Sequence, residues 1–245
     1  SGDGTTASVP FTASATGGTA TSFTAVSTPS SITGSSASSP ISVTGLSTGT
    51  AYTFKVYGAN ASGTWSAVQS AASNSLTLAV PPAFYSIATV TVGAGGASSA
   101  DFTSIPGTYT HLQIRYMTYA SNGSYLSMQF NGDTASNYHW HQMNGDGASV
   151  TAGDGGSDTR IALPRGSSTA NTFGIGVIDI FNYANTNMNK TTRAFGGRDV
   201  NGSGGYVDYL SGLWVSTSAI TSIKLYHASL TLPQYCTYAL YGVKA

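Results

Sequence analysis

The sequence predicts an all-β protein made of two successive β-sandwiches, the second of them a larger antiparallel sandwich of the jelly-roll type. Apolar residues recur at every second position along much of the chain, which is the period of a half-buried strand. Charged residues make up only 7% of the chain, and the abundant Gly, Ser, Thr and Asn favour turns and strands over helix interiors. The pair Pro81-Pro82 separates two regions of different composition.

The composition also excludes several classes of protein. The 245 residues carry a formal net charge of zero, and all nine acidic residues are Asp. No basic cluster indicates nucleic-acid binding, and no apolar run approaches the ~20 residues that cross a bilayer, so we expect no membrane insertion. The single cysteine, Cys236, cannot form an internal disulfide, and on a strand between Tyr235 and Thr237 it is expected to be a small buried residue.

Residues 1–79 form the first predicted domain. In AYTFKVYGA, residues 51–59, Tyr52, Phe54 and Val56 lie on one face of a predicted strand and the residues between them lie on the other. This period of two places the first three side chains in a core. The same pattern predicts further strands along this region. The expected inward residues are Val9, Phe11, Phe23, Val26, Ile41, Val43, Leu46, Tyr52, Phe54, Val56, Leu76 and Leu78.

The stretch GLSTGTAYTFKVYGANASG, residues 45–63, resembles a fibronectin type III domain. In that family a tyrosine near the start of one strand folds its hydroxyl back onto the preceding corner, and Tyr52 occupies the matching position. The family has a further strand before the region that matches residues 4–14. We therefore expect the first strand to be missing here, and to be supplied by additional upstream chain or by a partner.

Residues 80–83 are predicted to be a Pro-rich linker, and residues 84–245 the larger sandwich. Dipeptides typical of tight hairpin turns separate its strands, namely Asn122-Gly123, Asn131-Gly132, Asn144-Gly145 and Asn201-Gly202. Ten strands are predicted, over residues 85–93, 110–120, 124–131, 137–143, 159–164, 172–184, 191–199, 206–217, 220–230 and 235–243.

Three segments of this domain resemble the C-terminal domain of virion proteins from tailed bacteriophages: FYSIATVTVGAGGASSADFTSIPGTYTHLQIR (84–115), FNGDTASNYHWHQMNGDG (130–147) and ITSIKLYHASLTLPQYCTYALYGVKA (220–245). The resemblance implies a non-enzymatic component of the virion surface, a capsid decoration, a fibre or a tail-fibre module. The expected partners are other copies in a homotrimer, other virion proteins, and host-surface glycans bound by weak multivalent contacts. Strands rich in Tyr and Met but poor in charge favour self-association.

Two histidines in NYHWHQ suggest a metal site. On a strand, His139 and His141 point to the same face about 7 Å apart, and Asp133 or Asp146 would supply a third ligand. The alternative is that both histidines simply lie on a polar sheet face. No cofactor is expected.

Aromatic residues suggest a carbohydrate site. Tyr138, Trp140 and Tyr125 could form a platform on which a sugar ring stacks, and Trp65 lies in a loop of the first domain. Alternatively, the three platform residues lie in the core or in a contact between copies, and Trp65 covers one end of the sandwich.

Catalysis is not expected. Glycoside hydrolysis requires a pair of carboxylates at a set separation, and the nearby pair Asp154 and Asp158 lies in a predicted flexible loop without a neighbouring histidine. Asp179 is expected to be buried and paired with Arg193 or Arg115. Two other functions stay open: an extracellular carbohydrate-binding or receptor-binding module, and a bacterial surface filament whose missing strand comes from a neighbour.

Overall fold

The computed structural model describes residues 5–14, 19–63, 69–80, 83–169, 171–200 and 204–244. The chain divides into two compact units, Ser1–Pro82 and Ala83–Ala245. Every regular element in the described ranges is a β-strand, and all ladders between these strands are antiparallel. The predicted all-β class is therefore confirmed.

Six strands lie in the described residues of the first unit. One sheet pairs β1 with β4, and the other has the order β3-β2-β5-β6. Their apolar faces meet in one core that joins Val9 and Ile41 of the small sheet to Tyr52 and Phe54 of the large one. The strands are β1 (Ala7–Val9), β2 (Ser22–Thr28), β3 (Thr33–Ser36), β4 (Ile41–Val43), β5 (Ala51–Ala59) and β6 (Leu76–Thr77).

The hydroxyl of Tyr52 closes the corner before β5, as expected from the sequence. Its ring is buried, and its oxygen accepts a hydrogen bond from the Ser47 amide at 3.1 Å. A buried phenol needs such a partner. The tyrosine thus fixes the turn and anchors the core with one side chain.

Strand β2 differs from its prediction. Val26 was expected to point inward with Phe23, but positions three apart in a strand lie on opposite faces. The structure places Ala25 in the core beside Phe23, and Val26 lies outside that cluster. Within the described residues β1 pairs only with β4. An additional strand along its other edge stays a prediction, and Pro81-Pro82 of the predicted linker lies outside the described ranges.

The described part of the second unit contains twelve strands. Each of the ten predicted strands has a counterpart, and β8 and β12 were not predicted. The strands are β7 (Phe84–Thr91), β8 (Ala100–Phe102), β9 (His111–Thr118), β10 (Tyr125–Phe130), β11 (Tyr138–Gly145), β12 (Val150–Asp158), β13 (Ile161–Arg165), β14 (Gly174–Phe181), β15 (Lys190–Arg198), β16 (Tyr206–Trp214), β17 (Ile223–His227) and β18 (Thr237–Val243).

Eight of these strands form a jelly roll. Four neighbouring strands of one sheet, in the order β7-β18-β9-β14, pack against the second sheet, whose order is β8-β17-β10-β13. In both sheets, strands from early and late in the chain alternate, which is the arrangement that two Greek keys produce. The hairpins β11–β12 and β15–β16 are inserted into this plan. They extend the first sheet to the eight-stranded order β12-β11-β16-β15-β14-β9-β18-β7.

The core of the second unit lies between the two sheets. It combines aliphatic residues of both sheets with large buried aromatic rings, among them Phe130, Tyr138 and Trp214, whose rings contact one another. Cys236 is buried in this core, as predicted, and its sulfur accepts a hydrogen bond from the Tyr119 amide.

Strand β12 overturns the prediction of a flexible loop around Asp154 and Asp158. Glycine and aspartate have low strand propensity, yet the segment pairs with β11 over nearly its whole length. Asn144-Gly145 lies inside β11 rather than in a turn, and the hairpin turns at Asp146-Gly147, where Gly147 has a φ of 89°. By contrast, Asn131 and Gly132 both have positive φ, as the predicted tight turn requires.

Candidate functional site

One face of the eight-stranded sheet packs on the core, and the opposite face is open. Along β15, Thr192 and Ala194 point inward and are buried, whereas Arg193 and Phe195 point outward and are exposed. The same alternation runs through β14 and β16. Because the ladders are in register, the outward residues of neighbouring strands form continuous rows across the sheet.

One of these rows is largely apolar. Its central members are cross-strand neighbours in the order Met143, Tyr209, Phe195, Val177. The adjacent row adds Val207 and Ile175. We call the six residues Met143, Ile175, Val177, Phe195, Val207 and Tyr209 the outer apolar surface.

The outer apolar surface is exposed to an unusual degree. Ile175 is 62% exposed, Phe195 58%, and Val207 and Met143 each 54%. Soluble proteins scatter single apolar residues over their surfaces, but contiguous apolar patches usually mark an interaction site. The residues of this surface were not identified from the sequence, because alternation alone does not show which of two apolar faces packs on the core.

A polar row borders this surface. His141, Ser211, Arg193, Asp179 and Gln113 follow one another across the ladders. Asp179 accepts hydrogen bonds from Arg193 at 2.8 Å and from Gln113 at 2.9 Å. Asp179 holds the pKa of Arg193 above its usual value. The predicted partner Arg193 is confirmed, but the predicted burial is wrong, since Asp179 faces outward with 23% of its side chain exposed.

An open hollow of about 1210 Å³ adjoins the outer apolar surface. Ile175, Val177, Phe195 and Val207 form its floor, and its wall includes the turn at residues 145–148. Asp146 stabilises that turn by accepting hydrogen bonds from the amides of Ala148 and Ser149, and these bonds lower the pKa of its carboxyl.

His139 and His141 lie on the same side of β11, as predicted, and this side faces outward. The Nδ1 atom of His139 accepts a hydrogen bond from the Ser157 amide at 3.4 Å, and Asp154 lies opposite His141 in the ladder, so the pair Asp154 and Asp158 does have a histidine neighbour. In the described ranges no group of three His, Cys, Asp or Glu side chains could hold a metal ion.

The two aspartates proposed as a third ligand are already engaged. Asp133 accepts hydrogen bonds from the Trp214 indole at 2.8 Å and the Asn137 amide group at 3.0 Å. These bonds lower the pKa of Asp133. Asp146 accepts hydrogen bonds from the amides of Ala148 and Ser149 in its own turn. The histidines therefore fit the alternative of a polar sheet face.

The fold buries Tyr138 and so sets it apart from Trp140 and Tyr125, the other residues of the predicted sugar platform. Tyr138 is fully buried, and its hydroxyl contacts the Phe130 amide and the Asp133 carbonyl, so its ring offers no face to a ligand. Trp140 and Tyr125 are half-buried with their ring centres 6.4 Å apart. Trp65 lies outside the described residues.

Trp140 and Tyr125 belong to a cluster on the inner side of the inserted hairpins, together with Arg165, Arg198 and Tyr206. We call it the aromatic–arginine cluster. The Arg165 guanidinium lies between two rings, 4.4 Å from the centre of Tyr125 and 4.3 Å from that of Tyr206. It also donates a hydrogen bond to the Tyr125 hydroxyl. Burial, and then the like charge of Arg165, lower the pKa of Arg198.

Asp208 provides the negative charge beneath this cluster. It is 1% exposed, and its carboxylate accepts a hydrogen bond from the Arg165 backbone amide at 3.0 Å. The Arg165 guanidinium approaches the other carboxylate oxygen at 3.6 Å. Next to Trp140 on β11, Gln142 Oε1 and Asn144 Nδ2 are buried without a hydrogen-bond partner in the described part of the chain.

Glycine in β12 makes room for the Trp140 ring. A Cβ atom on Gly155 would lie 2.4 Å from atoms of the indole, a contact that no side chain tolerates. The indole nitrogen donates to Asp158 at 3.1 Å. The glycine-rich composition that concealed this strand thus serves a packing purpose.

The remaining observations concern membranes and relatives. No helix long and apolar enough for a membrane span is present in the described segments. No protein-family model matches the chain, and neither a curated protein nor a solved structure matches it.

Proposed function

We propose that this chain is a non-enzymatic surface protein of a tailed-phage virion that decorates the capsid or forms a fibre and acts as a homo-oligomer. The observation that carries the proposal is the outer apolar surface, six uncharged residues on a sheet face that no described part of the second unit covers. Interface cores between proteins show the same depletion of charge. A sheet face of this kind suits protein contact and fits a role in assembly.

Two features of the sequence support a virion as the assembly. The segments at 84–115, 130–147 and 220–245 resemble the C-terminal domains of phage virion proteins. The first unit pairs its strands as β1-β4 and β3-β2-β5-β6 and carries the tyrosine corner at Tyr52, which together support a fibronectin type III-like module.

The experiment that tests this proposal locates the protein on particles. Phages that encode this chain are purified by density gradient, washed at high salt, and analysed by quantitative mass spectrometry and immunogold electron microscopy. We expect many copies per particle and gold on the head or on fibres. A non-structural protein of the same phage serves as the control. The proposal fails if the chain stays in the soluble lysate while the capsid protein bands in the gradient.

A second candidate function is the binding of host-surface glycans, as part of a virion or as an extracellular carbohydrate-binding module. The specific observation in its favour is that Tyr125 and Trp140 lie side by side, and that Gln142, two residues from Trp140 on β11, has an Oε1 atom without a hydrogen-bond partner in the described residues. A ligand hydroxyl that reached this oxygen would satisfy it. Repeated copies on a particle would raise a weak affinity by avidity.

A glycan array distinguishes the two candidates. If the second candidate is correct, the full chain binds a defined group of glycans and Trp140→Ala abolishes the binding signal. Tyr235→Ala, which removes an exposed aromatic residue elsewhere, leaves the signal unchanged. A chain that binds no glycan, or two variants that behave alike, removes the second candidate and leaves the first in place.

A further inference from the structure

We infer that the partner of the outer apolar surface is the same surface on a second copy of this chain. The inference rests on the proposed function in taking this face as a protein contact, and it deepens that function by naming the occupant. Three properties of the face support a second copy: its size, its charge and its shape.

The size of the face suits a stable contact between copies. Its strands are seven to nine residues long. With about 4.8 Å between strands and about 3.4 Å per residue, eight such strands span roughly 38 by 27 Å, or on the order of 1,000 Å². Each partner in a standard interface buries about 800 Å². The whole face is therefore large enough, whereas the apolar residues alone form only its centre.

The charge of the face permits contact with an identical face. The outward residues of the eight strands include two arginines, Arg115 and Arg193, and two aspartates, Asp154 and Asp179. Their charges cancel, and Arg193 and Asp179 already neutralise each other. Two copies therefore meet without net repulsion, which a strongly charged face would impose.

The shape of the face combines projections with a hollow. Tyr209, 44% exposed, projects next to Phe195, and Phe195 itself lines the hollow of about 1210 Å³ beside the turn at residues 145–148. A contact between identical patches has to be self-complementary, and a surface with both a projection and a recess can meet this requirement. Stacked sheet faces in other proteins pack about 10 Å apart in the same way.

Sedimentation velocity on the full chain tests this inference at micromolar concentrations. We expect the wild-type protein to sediment as an oligomer. Phe195→Lys should weaken self-association at least about tenfold, because a lysine in an apolar interface centre costs more than about 1.4 kcal/mol. Tyr235→Lys places the same charge at another exposed aromatic residue, 63% exposed, and should leave the oligomer intact.

Far-UV circular dichroism verifies that each variant is folded. If Phe195→Lys fails to fold, Val207→Lys in the adjacent row takes its place. A monomeric wild type overturns the inference. So does an oligomer that both face variants leave unchanged, which would point to pairing along sheet edges, or one that Tyr235→Lys dissociates equally.

Failure of the inference and failure of the proposed function are separable. A monomer found on washed particles would overturn only the partner named here. An oligomer that breaks at Phe195 but never accompanies particles would overturn only the virion role.

Discussion

The Thr118 hydroxyl lies 3.2 Å from Nε2 of His227 in the core between the two sheets of the second unit. The other ring nitrogen, Nδ1, lies 3.1 Å from the Tyr125 carbonyl oxygen. A carbonyl only accepts, so Nδ1 carries the proton and Nε2 accepts from Thr118. Burial lowers the pKa of His227, and the neutral ring is the form that this site holds.

Acid should destabilise the protein through His227. Its pKa in the folded state lies below the unfolded value of about 6.5. Its contribution to the free energy of unfolding is therefore complete above pH 6.5, and it is lost as the pH falls towards the lowered pKa. The loss is up to about 1.4 kcal/mol per pH unit. Urea unfolding from pH 8 to 5 measures it. His227→Gln should flatten the slope relative to wild type, and His141→Gln, an exposed control, should not. Equal slopes in all three proteins would contradict this prediction.

Alkaline pH should destabilise the protein through its buried tyrosines. Burial raises the pKa of Tyr138 to about 12 and raises those of Tyr116 and Tyr238 as well. Their contribution is complete below the unfolded pKa of about 10 and is lost as the pH rises towards the folded values. Over that range each of these tyrosines lowers the free energy of unfolding by up to about 1.4 kcal/mol per pH unit.

Urea unfolding between pH 9 and 11 checks this expectation. Tyr138→Phe should show a shallower fall in the free energy of unfolding, whatever its stability at neutral pH. Tyr235→Phe, at an exposed position, should keep the wild-type slope. A Tyr138→Phe slope as steep as the wild type would argue that the unfolded and folded states titrate alike.

The buried ion pair of Arg165 and Asp208 should matter far more than the exposed pair of Arg193 and Asp179. Arg165→Met leaves the Asp208 carboxylate buried without a counter-charge, and such a loss costs about 3 to 5 kcal/mol. Arg193→Met, with the arginine side chain 54% exposed in the wild type, should cost less than about 1 kcal/mol. Chemical denaturation of dilute protein compares the two variants, and similar losses would contradict the assignment of Asp208 as buried and dependent on Arg165.

Tyr52 should anchor the first unit through its hydroxyl. Tyr52→Phe removes the acceptor of the Ser47 amide and leaves a polar group without a partner, at a cost of about 1 to 3 kcal/mol. Hydrogen exchange on the full chain follows both units at once. Protection should fall in β2 and β5 and stay unchanged in β14 and β15, since the units are separate compact bodies. A uniform loss of protection would show instead that the units unfold together.

Strands with clear alternation were predictable from the sequence, and strands made of poor formers were not. The segment 150–158 contains glycine and aspartate where β-branched residues are usual, and it forms a strand because β11 offers it a ladder. Gly155 is required there by the neighbouring Trp140 ring. No property of the segment itself reveals that contact.

Sequence patterns placed the candidate residues on the correct faces of β11 but could not decide which face was buried. His139 and His141 point outward and Tyr138 inward, as the period of two requires. In GVIDIF, apolar residues occupy both faces, so the core side of β14 depends on the second sheet packing against Ile178 rather than Val177. The prediction that Asp179 is buried failed for this reason, and the outer apolar surface went unrecognised.

The two inserted hairpins supply most of that surface, although the eight jelly-roll strands complete their pairings without them. Four of its six residues, Met143, Phe195, Val207 and Tyr209, belong to β11, β15 and β16. On their other side the same hairpins contribute Tyr138 and Trp214 to the core, so each hairpin has one side that supports the fold and one side that is available to a partner. Substitutions confined to the outer side should therefore alter association between copies and leave the core intact.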